Sequence, residues 1–107
     1  MTKLEGLLRT HNCGELRAEH IGENITLCGW VNKYRNLGSL HFIDLRDRFG
    51  VTQLGFESYE GDIKQLKEAS LESVIEVKGV VRKRPESAIN KDMSTGEIEL
   101  QVISFKI

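Results

Sequence analysis

Three segments of alternating apolar and polar residues follow one another between Ile25 and Glu57, separated only by short turns that contain Gly38 and Gly50. Successive side chains of a strand point to opposite faces of a sheet, and turns this short join antiparallel neighbours. The pattern predicts three strands in meander order, over residues 25–35, 39–47 and 51–57. Any fold for this chain must contain that meander.

The stretch after the meander changes its period. Residues 59–71, YEGDIKQLKEASL, place Ile63, Leu66 and Ala69 at helical spacing, with charged residues on the remaining face. This spacing predicts one helix that ends near Ser70.

Alternation returns in two segments near the end of the chain. Residues 73–84 alternate around an interruption at Gly79, where a bulge or tight bend is expected, and residues 97–107 alternate throughout. Three strands, a helix and two strands predict an all-β chain with one helix, folded as the five-stranded Greek-key barrel called the OB-fold. The characteristic partners of that fold are oligonucleotides and oligosaccharides.

Size and composition predict a single domain over residues 1–107, with an N-terminal extension at 1–24 and the barrel at 25–107. The 107 residues are 39% hydrophobic and 29% charged, which is ordinary for one compact core. No apolar run is long enough to cross a bilayer and no signal-peptide pattern is present, so we expect a cytoplasmic protein without a membrane partner. Cys13 and Cys28 lack metal-ligand spacing, and we interpret them as free thiols rather than a metal site or a disulfide framework.

The net charge of −1 argues against binding of long nucleic acid through bulk charge alone. A local basic site remains compatible with it, because the positive residues are clustered along the chain. Such clusters are also ordinary solvated faces. They lie at Lys33 and Arg35, at Arg46 and Arg48, and at Lys78, Arg82, Lys83 and Arg84.

Phe42 is the unusual residue of the second strand, because alternation with Ile43 and Leu45 places its ring on the face away from the core. An exposed ring can stack on one unpaired base, worth about 1 to 3 kcal/mol. The ring can equally fill a minor core under a loop, since barrel strands curl and bury both faces near their ends. The same alternation places on this outward face Asp44, Arg46, Val51, Gln53, Gly55, Lys78, Val80, Arg82, Arg84, Glu99 and Gln101.

Two of these outward residues have side chains that can form hydrogen bonds with the edge of a base. Gln53 offers both a donor and an acceptor, whereas Glu99 only accepts and so suits the amino or imino donors of guanine. The first strand is ambiguous, because Leu27 and Trp30 fall on opposite parities and a bulge would rotate Arg35 onto either face. Its register is left open.

Three strings resemble a known family: RTHNCGEL, TLCGWVNKYRNLGSLHFIDLRDRFGVTQ and NKDMSTGEIE. Together they are similar to the N-terminal anticodon-binding domain of bacterial aspartyl-tRNA synthetases, over a span from about Arg9 to the end of the chain. The resemblance implies that Phe42 stacks on the middle anticodon base and that Gln53 reads the edge of that uridine. It further implies that Arg35 contacts the anticodon loop and that Glu99 recognises the first base of a G-U-C anticodon. Further matching positions near the loop are Arg82, Arg84 and Asn90.

The resemblance also implies what surrounds this domain. The parent enzyme would be an ATP-dependent aspartate–tRNA ligase, a homodimer whose absent catalytic domain uses ATP and Mg²⁺ on aspartate tRNA. We expect no catalytic residue, metal or cofactor in this chain. Ala88 and Gly55 depart from common family residues, and whether asparagine tRNA is also a substrate is left open. The alternatives are a generic OB-fold module for single-stranded nucleic acid and a protein-interaction barrel.

Overall fold

A computed structural model describes residues 9–38, 40–57, 59, 61 and 73–106. Five strands form a closed barrel in the order β1-β2-β3-β5-β4, and its pairs are antiparallel except for the parallel β3–β5 pair. The prediction of an all-β OB-fold barrel is confirmed. The strands are β1 (Asn24–Leu37), β2 (Leu40–Asp47), β3 (Gly50–Gly55), β4 (Val74–Lys83) and β5 (Ile98–Lys106).

Helical structure among the described residues is limited to single 3-10 turns at Ala18–His20 and Glu86–Ala88. The helix predicted to end near Ser70 lies outside the described residues. No helix in the described ranges has the length and apolar composition needed to span a membrane.

The barrel interior is filled by the residues that alternation assigned to the core. Ile43 and Leu45 of β2 are fully buried, and so are Ile98, Leu100 and Val102 of β5. Side chains from every strand complete one apolar cluster. The face of β2 opposite Ile43 is therefore left for polar residues and for Phe42.

A bulge in β1 decides where Arg35 points. Val31 pairs with Leu45 and Lys33 pairs with Asp44, so Asn32 is an extra residue without a partner on β2. Up to Val31 the odd-numbered positions face the core, whereas beyond the bulge Tyr34 packs against it. The extra residue moves Arg35 to the outward face, directly across from Phe42. This settles the register that the sequence left open.

The second irregularity lies beside Gly79, as predicted, but the extra residue belongs to β5. Lys78 pairs with Ser104 and Gly79 pairs with Val102, which leaves Ile103 without a partner and 56% exposed. A Cβ at Gly79 would lie 2.1 Å from the backbone oxygen of Gln101. Glycine is therefore needed at this position for the close approach of the two strands.

The N-terminal segment is tied to the turn between β2 and β3 by Asp47. Its Oδ2 accepts from the backbone N–H of Cys13 at 2.8 Å, and its Oδ1 accepts from the N–H groups of Phe49 and Gly50 at 2.8 and 3.1 Å. The hydroxyl of Thr52 donates to the carbonyl of Cys13 at 2.7 Å. The RTHNCGEL string thus packs the extension onto the barrel.

Candidate nucleic-acid interface

A chain of hydrogen bonds crosses the outward face of the barrel and takes one side chain from each strand. At one end, Arg35 of β1 donates from Nη2 to Oδ1 of Asp44 on β2 at 2.7 Å and to Oε1 of Gln53 on β3 at 2.8 Å. Gln53 then donates from Nε2 to Oε1 of Glu99 on β5 at 2.7 Å. Arg82 of β4 donates from Nε to Oε2 of Glu99 at 2.6 Å. The order of these residues follows the order of the strands.

Glu99 is the most heavily bonded carboxylate of this network. Its Oε2 accepts from Arg82 and also from Nε2 of Gln101 at 2.9 Å, whereas its Oε1 accepts from Gln53. Because each carboxylate oxygen has two acceptor positions, Oε1 keeps one for a ligand. Arg82 also contacts Glu57 at 2.8 Å, so one guanidinium joins two carboxylates. Partial burial by itself would lower the pKa of Arg82, but the hydrogen bonds and charges of Glu57 and Glu99 together raise it.

The polar side chains at the centre of the outward face are buried rather than exposed to solvent. Gln53 is 5% exposed, Glu99 2% and Gln101 7%, so mutual hydrogen bonds shield the groups that were expected to face solvent. Arg35 and Arg82 flank them, with side chains 35% and 36% exposed. A ligand would therefore meet the ring and the two guanidinium groups first, and would reach the buried amide and carboxylate between them.

Phe42 lies outside the barrel core. Its half-buried ring belongs neither to the buried apolar cluster of the described residues nor to the half-buried hydrophobic side chains packed against that cluster. The guanidinium carbon of Arg35 stands 5.9 Å from the ring centroid, within the range of a cation–π contact. This placement favours the solvent-facing ring over the minor core.

Gly55 makes room for the end of the network. A Cβ at this position would stand 2.8 Å from Nε2 of Gln101 and 3.1 Å from Oε2 of Glu99. Gly55 pairs with Phe42 of β2 on one side and with Gln101 of β5 on the other. The space beside Gly55 is therefore filled by polar side chains of β5.

Arg84 is buried rather than open to solvent, and the charges that act on it are those of Glu99, Asp44 and Arg35 on the outward face. Its side chain turns under the loop after β4 and is only 4% exposed. Nε donates to the carbonyl of Ile98 at 2.8 Å, and Nη1 donates to that of Ala88 at 3.2 Å. Burial lowers the pKa of Arg84, and the nearby charges of Glu99 and Asp44 only partly compensate. These contacts make Arg84 a residue that holds the loop against β5.

Asn90 is exposed in the same loop, where its Oδ1 accepts from the backbone N–H of Asp92 at 3.0 Å. Within the described part of the chain, no hydrogen bond joins Asn90 to the network on the face. The structure thus brings Arg35, Phe42, Gln53, Glu99 and Arg82 together, and holds Asn90 apart from their hydrogen bonds.

Three residues of the network were not predicted as site residues. Alternation had placed Asp44 and Gln101 on this face, but nothing in the sequence showed that they bond to Arg35 and Glu99. Glu57 follows the end of β3, and no pattern in the sequence marked it as a site residue.

Two buried donors lack partners among the described residues: Nε of Arg35, which belongs to the network, and Nη2 of Arg84, which lies near it. Buried N–H groups are nearly always paired, so these atoms are suited to acceptors that a ligand brings. In the described ranges, no cluster of three or more His, Cys, Asp or Glu residues could hold a metal ion. The face thus offers unpaired N–H donors and one half-buried aromatic ring to a ligand.

Barrels of this topology commonly bind oligonucleotides or oligosaccharides, and the family comparison identifies this one as a nucleic-acid-binding module. Residues 25–107 match the tRNA anticodon family model, described as an OB-fold nucleic acid binding domain. The chain belongs to that family.

The relatives are aspartate–tRNA ligases. The chain is 49% identical over 94 residues to an aspartate–tRNA(Asp/Asn) ligase of Thermotoga neapolitana, with 88% of this chain and 16% of the relative covered. It is 51% identical over 104 residues to an aspartate–tRNA ligase of Amoebophilus asiaticus, covering 94% and 18%. The chain therefore spans about a sixth of the length of these relatives.

The barrel also superposes on a solved synthetase. The aspartyl-tRNA synthetase of Entamoeba histolytica matches with a TM-score of 0.77 at 19% identity, over 98% of this chain and 22% of that one. At this identity the likeness supports the fold.

Proposed function

We propose that this chain binds the anticodon loop of a tRNA and reads the G-U-C anticodon of aspartate tRNA. The observation that carries the proposal is the Phe42 ring beside the bonded pair Gln53 and Glu99, on the outward face of a barrel about half identical to the aspartate–tRNA ligases compared above. A ring with an amide and a carboxylate next to it suits an unpaired base, which is stacked on one side and hydrogen-bonded along its edge.

In this proposal the middle base stacks on Phe42, and its Watson–Crick edge faces the Gln53 amide. The remaining acceptor position of Glu99 Oε1 takes an N–H donor of the guanine that precedes it. Arg35 and Arg82 stand at the two ends of the face, where their positive charge attracts the phosphates of the loop. The unpaired Nε of Arg35 supplies one further donor for that contact.

We also propose that the longer protein is an aspartate–tRNA ligase and that this domain itself catalyses no reaction. The anticodon contact would hold the tRNA while its acceptor end reaches the catalytic part. We assign ATP and Mg²⁺ to that part, no cofactor to this domain, a cytoplasmic location to the protein and a homodimeric state to the ligase. The relatives named above support the ligase part of this assignment.

The test is a titration of the 107-residue chain with two RNA hairpins that differ only at the middle base of the anticodon, U or C. Anticodon reading requires tighter binding of the U hairpin, with chemical-shift changes at Phe42 and Gln53. Equal binding of both hairpins and of a polypyrimidine strand would indicate a generic single-strand module. Failure to bind any of them, while the full-length ligase does discriminate, would place the recognition outside this domain.

A further inference from the structure

The amide of Gln53 is held in one orientation by partners of opposite charge. Its Oε1 accepts from the Arg35 guanidinium at 2.8 Å, and its Nε2 donates to the Glu99 carboxylate at 2.7 Å. Turning the amide by half a rotation would set its oxygen against the carboxylate and its NH₂ against the guanidinium. Both contacts would then be repulsive. The surrounding charges therefore decide which end of the amide is the donor.

The fixed orientation of the Gln53 amide determines which pyrimidine base it can pair with. After these two bonds Gln53 keeps one donor hydrogen on Nε2 and one acceptor position on Oε1. Uracil presents the N3–H donor beside the O4 acceptor, whereas cytosine presents the N3 acceptor beside the N4 donor. The two bases thus offer the same groups in opposite order. An amide held one way distinguishes them, and an amide free to turn accepts both.

Arg35 can hold Gln53 only if it is itself held. Its Nη2 atom donates both to Gln53 and to Oδ1 of Asp44, the latter at 2.7 Å. Asp44 lies directly across from Gln53 in the β2–β3 register. The Asp44 side chain is 17% exposed, which strengthens its ion pair with Arg35 relative to a pair in open solvent. Asp44 bonds to the side of the guanidinium that faces Gln53.

We propose that Asp44 is a positioning residue for base discrimination: by holding Arg35, it fixes the Gln53 amide so that the domain accepts uridine and rejects cytidine at the base stacked on Phe42. The inference rests on the proposed function and goes beyond it, because Asp44 acts through Arg35 without touching the base. Arg82, the other guanidinium that flanks Gln53, bonds to Glu99 and Glu57 instead.

The experiment measures one ratio, the affinity for the U hairpin divided by that for the C hairpin, for the wild-type chain, Asp44→Asn and Asp44→Ala. Glu76→Gln is the matched control, because it also removes one negative charge but lies outside the network, beside Lys106. The proposal predicts that the ratio falls by about fivefold or more in Asp44→Ala and by less in Asp44→Asn, and that it is unchanged in Glu76→Gln. The Gln53 side-chain NH₂ resonances of the free domain should move in the Asp44 variants alone.

The outcomes separate the inference from the function on which it rests. If the wild type discriminates and Asp44→Ala discriminates equally well, the inference is overturned and anticodon reading stands. If Asp44→Ala weakens both hairpins by the same factor, Asp44 is a purely structural residue and the inference is again overturned. If the wild type does not discriminate, both proposals fail. Should Asp44→Ala be unfolded, the shape-conserving Asp44→Asn decides the question through the same ratio.

Discussion

Nε2 of Gln53 donates to Oε1 of Glu99 over 2.7 Å, although the two residues are 46 positions apart in the chain. The bond crosses the parallel contact of β3 with β5, where the barrel closes. Polar atoms on the two sides of that contact are therefore paired with each other in the free domain, and under the proposed function a bound base must share them.

Glu99→Gln tests the carboxylate at the centre of this network. An amide at this position would set its NH₂ against Gln53 on one side or against Arg82 and Gln101 on the other, so donors would face donors. We expect a loss of about 1 to 3 kcal/mol in the free energy of unfolding by urea. Glu76→Gln, which removes only a 3.8 Å ion pair to a mostly exposed Lys106, should change it by less than about 0.5 kcal/mol. Equal losses in both variants would contradict the prediction.

Phe42→Ala tests the stacking platform. Because the ring lies outside the apolar cluster, hairpin affinity should fall by about 1 to 3 kcal/mol while the melting temperature changes little. Phe49→Ala is the control, since that ring is 53% exposed at the turn after β2, away from the network, and its loss should leave affinity unchanged. A large drop in melting temperature for Phe42→Ala would show instead that the ring supports the fold.

Two glycines of the sheet should respond differently to alanine. At Gly79 the new Cβ would meet a backbone oxygen at 2.1 Å, so Gly79→Ala should destabilise the domain by about 2 to 3 kcal/mol. At Gly55 the nearest atom, at 2.8 Å, is the end of the flexible Gln101 side chain, which can turn aside. Gly55→Ala should therefore cost less than about 1 kcal/mol. Thermal unfolding should show a larger loss of stability in Gly79→Ala than in Gly55→Ala.

Arg84→Lys should lower stability more than it lowers hairpin affinity. Lysine cannot reproduce the two bonds that the Arg84 guanidinium makes to the carbonyls of Ile98 and Ala88. We expect a loss of about 1 to 3 kcal/mol in urea unfolding, against almost none for the exposed control Arg48→Lys. A variant of normal stability that binds RNA poorly would assign Arg84 to direct contact instead.

Because of Cys13, the free energy of unfolding should fall as the pH becomes alkaline. Burial raises the pKa of its thiol above the ordinary 9.0, and the Asp47 carboxylate beside it adds to the shift. The unfolded chain then loses its thiol proton first as the pH rises, so stability is complete below the ordinary pKa and falls above it. Urea unfolding at pH about 7 and about 10 should show a larger fall for the wild type than for Cys13→Ala. The same fall in both proteins would be contrary to this expectation.

Local alternation was sufficient to predict the core and the outward position of Phe42. Leu45 and Leu100 are buried as expected, because a strand's period of two fixes its faces wherever pairing is regular. Arg35 could not be placed in advance, since its face depends on the extra residue Asn32, and no residue type marks a bulge of this kind.

Long-range packing explains what alternation missed. Arg84 has outward parity but lies beyond the last residue of β4, where the chain turns and carries it under the loop. The closure of the polar face could not be predicted either, because the contact between Gln53 and Glu99 depends on which strands become neighbours. Alternation reports the face of a side chain and does not identify its neighbour.

Because the outward network takes residues from all five strands, it exists only when the last strand has joined the barrel. β5 supplies Glu99 and Gln101, and it pairs with both β3 and β4. During synthesis the loop closures that unite distant strands are slow relative to local hairpins, so the meander can form before the outward network does. A chain that ends between β4 and β5 would keep Phe42 but lack Glu99. Under the proposed function, RNA binding therefore reports that β5 has joined the barrel.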